Sequence, residues 1–241
     1  DRRAMERLFE TDAYLDRCPA TVVEATAEGI VLDRTVFYPQ GGGQPGDTGT
    51  LLWAGGQCRI AETRKDAEVP GQVRHLPADG ADLPAPGTEV EARIDWDRRH
   101  RLMRMHTALH LLCSLVPGEV TGGQVGEHKS RLDFDLTGES VDKATLEAAL
   151  NDRVAGAHPV QPRWVDDSEL DTRPELVRTL SVQPPRGAGR LRLIEITGVD
   201  LQSCGGTHVR NTEEIGPLRV GKVESKGRRN RRINVHLADA S

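Results

Sequence analysis

Two short pairs of metal-binding side chains, about a hundred residues apart, constrain this fold more than any other feature of the sequence. The first pair is His106 and His110, within HTALH, and the second is Cys204 and His208, within CGGTH. Residues four positions apart share one face of a helix, so both imidazoles of the first pair would project in the same direction. We therefore expect a fold that brings the second pair to that helix face.

The chemistry of these side chains points to one metal ion. Gly205 and Gly206 follow Cys204, and because glycine tolerates positive φ, we expect the segment to curl until thiolate and imidazole converge. Three imidazoles and one thiolate form a nitrogen-rich tetrahedral set that suits Zn²⁺. The sequence therefore predicts a zinc site with four ligands, namely His106, His110, Cys204 and His208.

The sequence leaves the role of this ion open. Four protein ligands normally close a structural zinc site, whereas a catalytic zinc keeps a position for water. A purely structural zinc is therefore the main alternative to a catalytic one. No Glu follows His106, so the chain lacks the HExxH signature of metalloproteases, and a peptidase of that class is not expected.

The pattern of the chain changes near residue 95. Before it, TVVEATAEGIVLD, TVFYP and EVEARIDW are predicted as short strands, and GGGQPGDTG as a long turn. Short strands separated by glycine and proline are typical of a small β-barrel. Because 241 residues are enough for two hydrophobic cores, we predict a separate N-terminal β-barrel domain over residues 1–94.

After residue 95 the pattern is first helical and then mixed. A helix is predicted from Asp95 or Asp97 to Pro117, because apolar residues recur at helical spacing: Leu102, Met105, Leu109 and Leu112. A second helix is predicted from Asp142 to Ala155, and a short third one in SELDTRPEL. Three strands follow, in RLRLIEI, PLRVGKVES and RINVHLA, the last two joined as a hairpin through KGRRN. Residues 95–241 are therefore predicted as a zinc-binding domain with an antiparallel sheet, and the fold class as α+β.

Composition excludes several classes of protein. No stretch approaches the roughly 20 apolar residues of a membrane-spanning helix, and the charged start lacks a signal-peptide core, so we expect a cytoplasmic protein with no membrane partner. The four cysteines are too scattered for a disulfide framework and are expected as thiols. No GKS or GKT follows the glycine-rich turn, so no nucleotide cofactor is predicted.

Charge is unevenly distributed. The formal net charge is -5, yet seven cations and one acid lie between Arg219 and Arg232. A local basic segment on an acidic protein suits a phosphate-rich partner that is held at few points. An ordinary solvated hairpin face is the alternative interpretation.

The two zinc motifs stand in a frame that resembles a known family, the alanyl-tRNA editing proteins called AlaX, which are free-standing relatives of the editing domain of alanyl-tRNA synthetase. The resemblance runs nearly end to end and extends beyond HTALH and CGGTHV to three long segments: LFETDAYLDRCPATVVEA, LDRTVFYPQGGGQPGDTG and NTEEIGPLRVGKVESKGRRNRRINV. The chain is similar to the medium-length form of the family, without the additional C-terminal domain of longer members.

This resemblance implies a hydrolase that removes serine, with glycine as a second candidate, from mischarged alanine tRNA. The zinc ligands it implies are the four side chains already named. Two alternatives stay open: a zinc-stabilised tRNA-binding module without catalysis, and an editor of seryl-tRNA for threonine. No general base is assigned, although Glu127 and His128 are candidates by position, with a surface pair as the alternative.

The resemblance also implies contacts with the substrate. Thr121 lies where the family has a hydroxyl that senses the amino acid, although the residues after it read GGQ instead of the commoner GS pattern, and an ordinary turn threonine is the alternative. The glycine-rich turn would approach the substrate or the tRNA end through Gly42, Gly43, Gln44 and Thr48, unless it is a tight turn without a ligand. We expect contacts with the tRNA backbone from Arg228, Arg229, Arg231 and Arg232.

Overall fold

The computed structural model describes residues 4–136, 140–174 and 189–239. The chain divides into two compact units, Asp1–His100 and Arg101–Ser241. The architecture is α+β, as the sequence predicts, with a closed barrel and two further antiparallel sheets. No helix among the described residues has the length and apolar character needed to cross a membrane.

The first unit is built mainly of strands. In chain order they are β1 (Glu6–Arg7), β2 (Arg17–Thr26), β3 (Gly29–Leu32), β4 (Arg34–Thr35), β5 (Gly49–Trp53), β6 (Gly56–Lys65), β7 (Val73–Pro77) and β8 (Glu89–Ile94). Six of them close into a barrel in the order β2-β3-β7-β6-β5-β8, with antiparallel neighbours. The short strands β1 and β4 pair separately and in parallel.

Alternation along the strands fills the barrel. In β8, Val90, Ala92 and Ile94 are buried while the residues between them are more exposed, as expected for a strand with one buried face. Similar alternation in β2 and β5 contributes to one aliphatic core: Cys18, Ala20, Val22, Ile30, Leu32, Val36, Phe37, Leu51, Cys58, Ile60, Val90, Ala92 and Ile94. All four cysteines of the chain are free thiols, as expected.

The predicted strand in TVFYP is wrong, because only Arg34 and Thr35 belong to a strand there. The residues that follow are buried, but their backbone groups bond to polar side chains instead of a neighbouring strand. The Phe37 amide donates to Thr35 Oγ1 at 3.0 Å, and the Tyr38 amide donates to Asp47 Oδ2 at 2.7 Å. These bonds replace a ladder, so β-propensity alone gave the wrong prediction.

One long helix, α1 (Trp96–Leu115), begins in the first unit and continues into the second. In its first turns Arg99 is completely buried; its guanidinium donates to the Asp47 carboxylate and to the carbonyls of Ala13 and Val36. This network fixes the helix start to the end of the glycine-rich turn. Along the helix, the predicted apolar residues are buried: Leu102, Met105, Leu109 and Leu112.

The second unit continues with β9 (Glu119–Gln124), β10 (Lys129–Asp135), α2 (Lys143–Ala155), β11 (Val160–Asp166), α3 (Asp167–Thr172), β12 (Arg190–Ile196), β13 (Asp200–Ser203), β14 (Leu218–Ser225) and β15 (Asn230–Leu237). One sheet has the order β14-β15-β10-β9 and the other the order β11-β12-β13. The predicted hairpin is therefore β14 and β15, and the predicted strand in RLRLIEI is β12.

The helices of this unit begin and end near their predicted positions. Asp142 caps α2 by accepting a hydrogen bond from the Ala144 amide at 3.1 Å. The side chain of Asn151 accepts a hydrogen bond from the Leu218 amide at 2.9 Å and donates one to the Leu218 carbonyl at 2.8 Å. These two bonds cover part of the edge strand β14. The predicted third helix corresponds to α3; residues 175 and 176 of the predicted segment lie outside the described residues.

Candidate metal centre

The first half of the centre lies on α1. His106 and His110 are one turn apart, and their ring centroids are separated by 5.1 Å. Both side chains are buried, with relative exposures of 6% and 4%. A helix forms here because the apolar spacing is helical, and Pro117 follows its last turn. The predicted common face of the two imidazoles is therefore present.

The second half lies in the segment that follows β13. Arg192 on β12 donates from its Nη1 to the carbonyls of Cys204 and Gly206, at 2.8 and 2.9 Å, and so holds the segment in its curve. The Gly206 amide donates to Cys204 Sγ at 3.3 Å. Neither Gly205 nor Gly206 has a positive φ. The expectation of positive φ in this segment is therefore wrong: Arg192 and the amide–sulfur bond hold the curve instead.

The two halves converge on one point. One ligand atom from each of the four side chains lies within 4.8 Å of the others: His106, His110, Cys204 and His208. Cys204 Sγ is 3.5 Å from His106 Nε2 and 3.3 Å from His208 Nε2. A tetrahedral zinc with bonds of ~2.0–2.3 Å keeps nitrogen and sulfur about 3.5 Å apart. The donor set and its spacing therefore fit an ion of this type, and the group can hold a metal.

Burial sets the protonation of the four ligands. Desolvation lowers the pKa of His106 to about 3, with a smaller contribution from the Arg192 charge. Burial also lowers the pKa values of His110 and His208 well below the ordinary value, so all three rings are neutral and each has one nitrogen whose lone pair can bind a cation. The pKa of the Cys204 thiol is raised to about 11 by burial, so metal binding would release a proton from it.

Three residues that support the centre were not predicted from the sequence. Arg192 shapes the segment around Cys204, Thr107 Oγ1 lies 3.0 Å from His208 Nδ1, and Asp200 Oδ2 lies 3.8 Å from His110 Nδ1. Thr107 lies between the histidines of HTALH, which was the only sequence signal for it. No spacing rule connects Arg192 or Asp200 with the histidines, because strand pairing brings them there.

Thr121 is an exposed residue on β9, an edge strand of the four-stranded sheet. Its hydroxyl donates to Asn230 Oδ1 at 3.4 Å. Glu127, a candidate general base, forms an ion pair with Arg101 at 2.8 Å, and the other candidate, His128, is exposed. The proposed roles of Thr121, Glu127 and His128 therefore stay predictions.

The glycine-rich turn belongs to the first unit. Gly42 and Gly43 are exposed and have φ of 58° and 81°, values that favour glycine. The Gln44 side chain is completely buried, and the half-buried Thr48 donates from its hydroxyl to Asp95. Gly42 and Gly43 are thus the most exposed part of this turn.

The four arginines of the hairpin differ in their contacts. Arg228 and Arg229 are exposed, and Arg229 pairs with Asp135 at 3.1 Å. Arg232 pairs with Asp133 at 2.9 Å, and Arg231 donates to Ser225 Oγ and to backbone carbonyls within the hairpin. Part of the positive charge is therefore balanced within the sheet itself.

Two family models match the chain. Residues 191–234 match the threonyl and alanyl tRNA synthetase second additional domain. This range contains the second metal motif and most of the β14–β15 hairpin. Residues 12–98 match the class II (A) tRNA synthetases, a region that corresponds to the barrel. Both models describe parts of tRNA synthetases.

Curated relatives match over nearly the whole chain. The alanyl-tRNA editing protein AlaX-M of Methanosarcina barkeri is 39% identical over 97% of this chain and 99% of its own length. The protein of the same name from Saccharolobus solfataricus is 32% identical over 95% and 97%. The alanine–tRNA ligase of Metallosphaera sedula is 34% identical over 91% of this chain, which spans 24% of that longer protein. This chain belongs to the family of the alanyl-tRNA editing proteins AlaX-M.

Proposed function

We propose that this chain is a zinc-dependent hydrolase that edits mischarged alanine tRNA in trans, cleaving the ester between serine, or glycine, and the terminal adenosine. The observation that carries the proposal is the buried group of three imidazoles and one thiolate, within 4.8 Å of one another, in a member of this family. An aminoacyl ester is already activated. The enzyme therefore mainly has to position a water molecule for attack and to stabilise the oxyanion that forms.

Zinc is the proposed metal because the donor set contains nitrogen and one soft sulfur. Bound at these four side chains, it would supply a Lewis acid for the ester carbonyl or an anchor for the substrate. The chain itself contributes three buried imidazoles, and burial keeps these rings neutral. The Arg192 guanidinium keeps the Cys204 backbone in place, and the Gly206 amide favours the thiolate through its bond to sulfur.

Recognition of the amino acid is proposed for Thr121 and for the glycine-rich turn. A site that hydrogen-bonds the serine hydroxyl discriminates strongly against alanine, because its polar groups stay unpaired with the wrong substrate. Thr121 is exposed and can exchange its long contact with Asn230 for a substrate hydroxyl. In the turn, Gly42 and Gly43 offer exposed amides, whereas buried Gln44 and half-buried Thr48 support the turn from within.

The test is a deacylation assay with the zinc-loaded protein. We expect hydrolysis of seryl-tRNA for alanine, with glycyl-tRNA as a second substrate, and no hydrolysis of the correctly charged alanyl-tRNA. Seryl-tRNA for threonine is included because the matching family model also describes the threonyl synthetase. The proposal would be overturned if the seryl and alanyl forms were hydrolysed equally, or if neither were hydrolysed. Preference for the threonine tRNA would reassign the substrate.

A second candidate is a tRNA-binding module with a structural zinc, because four protein ligands normally close a metal site. Cys204→Ala separates the two functions. Retained secondary structure and tRNA binding with lost turnover favours the hydrolase. Loss of secondary structure in the variant, together with tRNA binding but no turnover in the wild type, favours the module.

A further inference from the structure

We propose that Thr107 and Asp200 are positioning residues that hold His208 and His110 with their Nε2 atoms toward the metal, and so set the affinity of the centre for its ion. The inference rests on the metal site of the proposed function. It concerns the chain's own residues around the ligands.

The Thr107 hydroxyl makes three contacts that together determine where its proton lies. It is 3.0 Å from the Met103 carbonyl, 3.3 Å from the Val209 amide and 3.0 Å from His208 Nδ1. The carbonyl only accepts and the amide only donates. A hydroxyl has one proton and two lone pairs, so donation to Met103 leaves both lone pairs to accept.

This arrangement selects one tautomer of His208. Because the Thr107 oxygen accepts, Nδ1 of His208 carries the proton and Nε2 keeps its lone pair. Nε2 is the nitrogen that lies 3.3 Å from Cys204 Sγ, on the side of the proposed ion. Thr107 itself is completely buried, so no water competes for these contacts. The hydroxyl thereby orients the ring and prepares it to bind a cation.

Asp200 has the corresponding position beside His110. The Nδ1 atom of His110 is buried and has no hydrogen-bond partner among the described residues. The nearest carboxylate oxygen, Oδ2 of Asp200, is 3.8 Å away, and both side chains are almost completely buried. A shift of about 1 Å brings such a pair within hydrogen-bond distance. Gln202 Nε2 donates to the same oxygen at 2.7 Å and holds the carboxylate beside the ring.

An unpaired buried N–H is costly, and a metal-bound histidine usually donates its second nitrogen to a carboxylate or another acceptor. The Asp200 carboxylate is the nearby acceptor that His110 would use on metal binding, and the Thr107 hydroxyl is already within hydrogen-bond distance of His208. Removing partners of this kind commonly costs about 10–100-fold in metal affinity. Neither Thr107 nor Asp200 belongs to the group of four candidate ligands, so each acts on the metal through the imidazole ring that it orients.

The first arm of the test changes Thr107. We expect Thr107→Val to weaken Zn²⁺ binding about 10-fold or more in competition with a chromophoric chelator. Thr107→Ser keeps the hydroxyl and should restore affinity to within a few-fold of the wild type. Thr212→Val is the matched control: Thr212 is also completely buried, and its hydroxyl bonds to the Arg153 carbonyl and the His158 amide. That variant should lose stability and keep its metal affinity.

The second arm changes Asp200. Asp200→Ala should lower Zn²⁺ affinity by a similar factor, and Asp200→Asn, whose amide oxygen still accepts, should recover most of it. Co²⁺ in place of Zn²⁺ supplies a spectroscopic control, because the same four ligands should give the wild-type absorption bands at saturation. The two arms are independent, so a variant that fails to fold in one leaves the other to decide.

The outcomes separate this inference from the proposed function. Failure of the wild type to bind Zn²⁺ or Co²⁺ would overturn the metal site and this inference together. Tight binding and editing by the wild type, with unchanged affinity in Thr107→Val and Asp200→Ala, would overturn the positioning roles alone. An equal loss in Thr212→Val would show that any buried hydroxyl has this effect, which also overturns them.

Discussion

At the scale of single residues, burial decides the protonation of half the histidines. Of the eight in the chain, four are buried: His75, His106, His110 and His208. Three of them belong to the candidate metal group, and His75 lies in the barrel unit. Its Nδ1 donates to the Ile30 carbonyl at 2.8 Å, and its Nε2 accepts from the Thr35 hydroxyl at 2.7 Å. Both nitrogens of the neutral ring are therefore satisfied.

His75 should make the stability of the protein depend on pH. Burial lowers the pKa of His75 to about 4 from an ordinary value of 6.5. Between these values the unfolded chain binds more protons than the folded one, so stability is full above pH 6.5 and falls as the pH drops toward 4. The loss amounts to about 3 kcal/mol at most. We expect His75→Asn to be less stable at neutral pH, with a shallower decline below pH 6.5.

Urea unfolding of the two proteins between pH 4.5 and 7.5 measures this difference. Both keep the metal ligands, so the contribution of those histidines cancels. His128→Asn, a change at an exposed histidine, should decline with pH like the wild type. Parallel pH curves for the wild type and His75→Asn would contradict the prediction.

At the scale of elements, the β14–β15 hairpin is the most basic part of the chain. Replacing its four arginines with Gln, at Arg228, Arg229, Arg231 and Arg232, should raise the KM for tRNA about 10-fold at low salt. It should also flatten the dependence of binding on salt, because each lost phosphate contact lowers the slope by about 0.7–0.9. We expect little change in kcat, since none of these side chains belongs to the metal group.

A matched control has the same change in net charge. Four cations of the first unit have side chains that are 43–58% exposed, and each forms an ion pair with a nearby acid: Arg17, Arg34, Arg64 and Arg93. Their replacement by Gln should leave KM and the salt slope near the wild-type values. An equal effect of the two quadruple variants would show that only the overall charge matters and that the hairpin is an ordinary solvated face.

Elements with a clear period were predictable from the sequence. The helical spacing in α1 and the alternation in β8 place these elements within a few residues of the observed ends. The segment after Thr35 was not predictable, because its backbone bonds to Thr35 and Asp47 while its residue types favour strands. Local propensity carries no information on such distant polar partners.

In the candidate site too, some residues were predictable from the sequence and others were not. Residue types and spacing were enough to name the four side chains that the structure brings together as a candidate metal group, because helix geometry joins the first pair and a short segment joins the second. The supporting residues Thr107, Arg192 and Asp200 follow from tertiary structure. Arg192 reaches Cys204 only because β12 pairs with β13, which ends next to that segment.

At the scale of the whole molecule, the proposed ion would connect distant parts of one unit. All four ligands lie in the unit Arg101–Ser241, two on α1 and two in the segment after β13. A preformed group of this kind does not exist in the unfolded chain, so metal binding stabilises the folded state. At a free ion concentration of about 100 times the Kd, the stabilisation is about 2.7 kcal/mol.

Metal removal should therefore act on one unit. We expect a chelator to reduce hydrogen-exchange protection in the second half of α1 and in β12 and β13, because these elements carry or support the ligands. Barrel strands such as β2 and β6 hold no ligand and should keep their protection. Cys204→Ser should show the low protection with or without the chelator. Equal loss in the barrel, or no loss in either unit, would contradict the view that the ion stabilises the fold around its own ligands.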